Sequence, residues 1–195
     1  MSTRATYQIN DKRYNNETRK MTFYIHHDGY KEGAAYYFYN MIETRTGTGE
    51  GYKTNSKGGN IEAFLRANYN AEITESHSVH GDTEYRYTLN ADNTLEVSEV
   101  SWNGDNTDTN TETLNLIDFI NKYHDEKVME IESEYGYKQI HTQTTLQALI
   151  KRERDLLDIW TKNGHTNSAN YKSLEKRISS YLEQQKKFNN VMQIV

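Results

Sequence analysis

This chain has no cysteine, no proline and no long apolar run. Without cysteine, disulfides and thiolate metal sites are excluded. Without proline, where about 5% is usual, glycine supplies all the sharp punctuation. A membrane-spanning helix needs roughly 18 or more apolar residues in a row, and nothing of that kind occurs. The opening Met1-Ser2-Thr3-Arg4-Ala5 also lacks the apolar segment of a signal peptide. A cytosolic protein is the expectation. Only 34% of the residues are hydrophobic, and mean hydropathy is −1.00. The 16 tyrosines still offer large, half-apolar side chains from which a core can be built. At 195 residues, the chain is long enough for one domain, or for a domain with an appendage.

Charge is unevenly spread. Residues 1–125 hold 12 Lys/Arg against 19 Asp/Glu, whereas residues 126–195 hold 11 against 9. Between residues 72 and 118 there are 11 acidic side chains, opposed by Arg86 alone. Such a balance repels nucleic acid and favours basic partners. The plainer reading is a solvated face that maintains solubility.

Hydrophobic periodicity lays out the elements. Residues 2–9 and 19–26 alternate as strands and are expected to pair as a hairpin. From Tyr30 to about Arg45 the period changes: Ala34, Tyr37, Phe38, Met41 and Ile42 fall at helical spacing. Residues 46–60 contain five glycines and form a loop too long for a simple connector. The spacing of a phosphate-binding loop is absent from it. A short helix over 60–68 follows, then strands over 71–79, 83–90 and 94–102, a polar run, and a helix over 112–124. The sum is an α+β layout, ββαα-βββ-α, with helices on one face of an antiparallel sheet.

After residue 126 the texture becomes helical. Helices are expected over 143–162 and 169–192, separated by the stop signal Asn163-Gly164. Two domains are drawn accordingly: 1–125, and a hairpin over 126–195. Leu174, Ile178, Tyr181, Leu182 and Phe188 lie at near-heptad spacing. They are expected to form either an oligomer seam, giving a homodimer, or a surface packed on the body.

The most chemically suggestive stretch is Ile25-His26-His27-Asp28-Gly29-Tyr30-Lys31-Glu32-Gly33, where a strand gives way to a helix. His26 and His27 point to opposite faces of a strand, and no third ligand is near in sequence. A rigid corner is therefore expected rather than a metal site, with Asp28 as a turn or cap residue and Gly29 supplying positive φ. Ser78, His80 and Asp82 have hydrolase residue types but lack a nucleophile elbow. Tyr85-Arg86-Tyr87 and Tyr36-Tyr37 can stack bases in principle, yet the first lies in an acidic stretch. No catalytic residue, metal or cofactor is assigned.

Met1-Ser2-Thr3-Arg4-Ala5-Thr6-Tyr7 and Tyr24-Ile25-His26-His27-Asp28-Gly29-Tyr30-Lys31-Glu32-Gly33-Ala34 resemble a widespread family of small phage and prophage proteins. Its members begin M-S-T-R-A/S-T and contain Y-x-H-H/W-D-G-Y-P-E-G. Gly58-Gly59, Ala63-Phe64 and the run from His80 to Tyr87 also look like that family, so the similarity covers about residues 1–102. Lys31 stands where a proline is usual, a helix position at which proline is favoured but dispensable. The resemblance implies a phage protein acting in the host bacterial cytoplasm. Small acidic phage proteins without catalytic motifs are often inhibitors of host defence, including anti-CRISPR proteins. CRISPR effectors carry positively charged channels, which an acidic surface can occupy.

The expectation is thus a non-enzymatic inhibitor that binds a Cas effector without direct nucleic-acid or membrane contact. Its partner-binding residues are expected to be Glu72, Glu75, Glu84, Glu96, Glu99, Asp105, Asp108 and Glu112. Two alternatives stand beside it. One is an enzyme or nucleotide-sequestering protein with its pocket at His26, His27, Asp28 and the 46–60 loop. The other is a structural or regulatory phage protein that oligomerises through its hairpin.

Overall fold

The structure is a computed structural model that describes residues 3–12, 17–46, 59–101, 106–132, 136 and 138–192. Strands β1 (Ala5–Lys12) and β2 (Thr18–Ile25) pair antiparallel, Tyr7 opposite Phe23 and Thr6 opposite Tyr24. Side chains alternate along a strand. Ala5, Tyr7 and Ile9 therefore share a face with Phe23 and Ile25, and all five are fully buried. α1 (Lys31–Thr46), α2 (Asn60–Ala67) and α3 (Leu116–Tyr123) cover that face. The aromatic rings of Tyr7, Phe38, Phe64 and Tyr87 meet at its centre, with Tyr7 stacked on Tyr87 at 5.0 Å. Much of this polar chain's core is thus built from tyrosine and phenylalanine.

The sheet has six strands in the order β3-β2-β1-β4-β5-β6. β3 is Glu72–Thr74, β4 Tyr85–Leu89, β5 Thr94–Val100 and β6 Asp108–Asn115. β1 and β4 run parallel; every other neighbouring pair is antiparallel. The fold is α+β, as the periodicity indicates, with one parallel pair inside an otherwise antiparallel sheet. The long excursion through α1, α2 and β3 returns the chain beside β1 in the same direction, which a tight hairpin cannot do.

Several boundaries differ from the sequence reading. The expected strand over 71–79 shrinks to β3, and His77 and Ser78 lie in the turn beyond it. The expected helix over 112–124 begins only at Leu116. Thr109, Thr111 and Thr113 are β-branched and favour a strand, and the Asn115 side chain accepts a hydrogen bond from the Ile117 amide, capping α3. β7 (Val128–Glu132) and β8 (Lys138–Thr142) form a two-stranded hairpin that the sequence reading placed in no element. Val128 and Ile140 belong to the main core, so the body continues beyond residue 125. The Gly-rich loop lies almost wholly outside the described residues, as does Asp105.

α4 (Gln143–Lys162) and α5 (Ala169–Met192) form the C-terminal helical hairpin. Thr142 caps α4 by accepting from the Thr145 amide at 3.1 Å, and Gly164, at φ 72°, turns the chain between the helices. A second small core joins Ile131 of β7 to Leu146, Ile150, Tyr181 and Phe188, with Leu182 packed against it. The residues expected from the heptad spacing to form either an oligomer seam or a packed surface contribute to packing within the chain. Leu174, Ile178, Tyr181 and Phe188 are buried within a single chain. The near-heptad stripe is satisfied by the neighbouring helix and the small β-hairpin.

Candidate functional site

The corner after β2 is held by several independent contacts. Asp28 takes positive φ, 55°, where Gly29 was expected to do so. Aspartate tolerates this region better than most residues. The two glycines serve close approach instead. A Cβ on Gly29 would lie 2.7 Å from the Arg4 carbonyl carbon and 2.8 Å from the Ala5 nitrogen; one on Gly33 would lie 1.9 Å from the Asp28 oxygen. The Gly29 amide donates to Thr3 O at 2.9 Å, and Gly29 O accepts from the buried Tyr87 hydroxyl at 2.8 Å. Tyr37 donates to His27 O at 3.2 Å. The corner is welded to β1, β4 and α1. His26 is exposed, and its Nε2 lies 3.1 Å from Glu72 Oε1.

The face of the sheet turned away from the helices is polar, and the segment 75–84 lies over it as a strap. His77 carries the contact. Its Nδ1 lies 2.7 Å from the Thr6 hydroxyl and its Nε2 3.1 Å from the Thr88 hydroxyl. A neutral imidazole has one donor and one acceptor nitrogen, and two hydroxyls satisfy both. Burial, then the nearby Arg86 charge, lowers the His77 pKa to about 4. Farther along the strap, His80 stacks on Tyr24 with ring centroids 3.7 Å apart. Asp82 accepts from the Tyr24 hydroxyl at 3.1 Å and pairs with Arg4 at 3.3 Å. Burial and this carboxylate push the Tyr24 pKa up to about 12.

Ser78, His80 and Asp82 are close in sequence but serve different partners. Ser78 bonds Ser76 at 2.9 Å, His80 stacks, and Asp82 holds Tyr24 and Arg4. No relay joins them. Thr6 beside His77 resembles a nucleophile beside a base, but Thr6 is fully buried and out of reach of a substrate. Among the described residues, no three His, Asp or Glu side chains converge as a metal-binding group. The same residues contain no helix long and apolar enough to cross a membrane.

The sequence reading missed this strap. Arg4 and Tyr24 fall in the segments that resemble the phage family, but no spacing links them to His77 or Thr88, and only the out-of-face alternation of Thr6, Tyr24 and Thr88 signals that something covers them.

Strand alternation and topology divide the acidic residues. Glu72 and Glu75 lie at the β3 edge, while Glu96, Glu99, Asp108 and Glu112 lie on β5 and β6 at the other edge. Four strand spacings, roughly 19 Å, separate β3 from β5. Glu84 sits before β4, half-buried. At the β6 edge, Asp108 pairs with Arg86 at 2.5 Å and Glu112 with Lys31 of α1 at 2.6 Å. Glu96 is exposed, and Glu99 accepts from Asn110 at 2.9 Å. The expected acidic surface is thus two edge patches rather than one face.

Comparison with known proteins finds no matching family model, no matching curated protein and no matching solved structure.

Proposed function

We propose that the chain is a phage-derived, non-enzymatic inhibitor of bacterial defence, of the anti-CRISPR kind, which binds a Cas effector through the acidic edge formed by β5 and β6. One observation carries the reading. Glu96, Glu99, Asp108 and Glu112 gather on two adjacent strands at one end of the sheet. An edge of this charge complements a channel built to hold nucleic acid. The likeness of residues 1–102 to small phage proteins supplies the biological setting. His77, Asp82 and Ser78 each bond a different partner and form no relay, which favours binding over turnover.

The alternative pocket at His26, His27 and Asp28 has less support, because Gly29 and Gly33 pack directly against backbone there.

The test is titration of the purified protein into Cas effector complexes during target cleavage. Inhibition that saturates at one-to-one stoichiometry and weakens with salt is expected. Inhibition at far lower ratios, or none against any effector, overturns the proposal.

A further inference from the structure

The opposite edge of the sheet has a different character. Tyr69 and Ile73 are the most exposed large hydrophobic side chains among the described residues, at 97% and 62%. They sit four residues apart, one in the turn after α2 and the other at the centre of β3. Leu65, on the last turn of α2, is also exposed. Among the described residues, β3 pairs only with β2, so its outer backbone groups have no strand partner. Folded proteins usually blunt such an edge with charge or cover it. Three exposed apolar side chains near such an edge are surface a partner could bury.

The register gives the occupant's chemistry. Ile73 lies opposite Phe23, on the helix-covered side of the sheet, while Glu72 and Thr74 lie opposite Tyr24 and Thr22 on the polar side. An added strand would present alternate side chains to these two sides. One set meets Ile73 and Tyr69; the other meets the side that carries Glu72. Residues 69–75 carry two carboxylates, Glu75 and Glu72, the latter also bonded to His26 at 3.1 Å, and no Lys or Arg. We infer that the β3 edge is a docking site for an extended partner segment that alternates apolar with Lys or Arg side chains and adds as a further strand. Main-chain hydrogen bonds would give affinity, the apolar pair an anchor, and the carboxylates the sign selection. This site lies across the sheet from the β5–β6 patch, so it can fail or hold independently of the proposed inhibitor function.

The experiment is selection of a random twelve-residue peptide display library on the intact protein, with sedimentation of the protein alone. The expected winners alternate apolar and basic residues. They should lose at least tenfold in affinity for Tyr69→Ala and for Ile73→Asp, variants at exposed positions that should melt like the parent. They should keep their affinity for Glu96→Lys. Winners that are acidic, that follow helical spacing, or that ignore both variants overturn the inference, as does a selection with no winner. A concentration-dependent dimer abolished by Ile73→Asp overturns it too, since the edge would then belong to a second copy.

Discussion

His77 Nδ1 lies 2.7 Å from the hydroxyl of Thr6, a residue that solvent does not reach. This bond, with the one to Thr88, fastens the strap to the sheet, and burial favours the neutral ring there. His141 is the second such histidine: it is buried, its Nδ1 lies 3.3 Å from the Thr145 hydroxyl, and burial and then Arg45 lower its pKa to about 4.

Both histidines have folded-state values below the ordinary 6.5. As pH falls below 6.5, the unfolded chain takes up protons that the folded chain refuses, so stability declines. The decline levels off below about pH 4, where the folded state becomes protonated as well. For buried His141 the full loss is about 3 kcal/mol. For half-buried His77 it is smaller, because water screens the charge. Urea unfolding at pH 7, 5.5 and 4.5 should show a falling midpoint. His77→Gln should flatten that fall in part, and an unchanged slope would place the acid sensitivity elsewhere.

Gly29 is required for space rather than for its φ. Gly29→Val forces side-chain atoms against the backbone of Arg4 and Ala5, and the loss should be roughly 2–4 kcal/mol. Asp28 holds the positive φ, so Asp28→Gly should leave stability unchanged or raise it by up to about 1 kcal/mol. Thermal melts of the two variants separate the explanations. If Gly29→Val were harmless and Asp28→Gly costly, the corner would depend on the carboxylate and not on close packing.

β1, β2 and the C-terminal helix α5 were legible in sequence because period two and near-heptad spacing are plain in them. The small hairpin β7–β8 was not, because its strands are short and its chain is polar between Glu132 and Lys138. β6 was misread because Leu114, Ile117 and Ile120 imitate a helical stripe that actually crosses the Asn115 cap. The corner at Gly29 was visible as a corner, but its reason was not: close approach to Arg4 and Ala5 is a tertiary fact. The acidic bias was visible as charge along the chain. Its division between two sheet edges depends on strand order, which periodicity does not encode.

The α4–α5 stripe makes a prediction opposite to that of an oligomer seam. Leu174 and Ile178 are buried inside one chain. Leu174→Asp should destabilise by about 2–5 kcal/mol through burial of an unpaired charge, and by the same amount at 1 µM and 100 µM, orders of magnitude chosen to reveal mass action. A melting temperature that rises with concentration in the parent and not in the variant would restore the intermolecular seam.

The acidic edge divides into residues that can be reversed freely and residues that cannot. Glu96 is exposed and accepts from Asn90 at 3.2 Å, and the Glu99 carboxylate accepts from Asn110 at 2.9 Å, both pairings with neutral side chains. Lysine at either position should change stability by no more than about 0.5 kcal/mol. Asp108 is different, because it neutralises Arg86, whose side chain is only 11% exposed and whose Nε has no hydrogen-bond partner among the described residues. Asp108→Lys leaves that guanidinium uncompensated and adds a like charge, so about 2–4 kcal/mol should be lost. Glu112→Lys faces Lys31, whose pKa is raised chiefly by its hydrogen bond to Glu112, and should cost about 1–2 kcal/mol. Chemical denaturation of the four variants gives the ranking directly. Only Glu96→Lys and Glu99→Lys are then clean probes of partner binding, since any loss with the other two mixes the partner's response with damage to the fold. If all four melt alike, the Arg86 and Lys31 pairs do not stabilise the sheet, and Asp108 and Glu112 return to the pool of freely exposed acidic side chains.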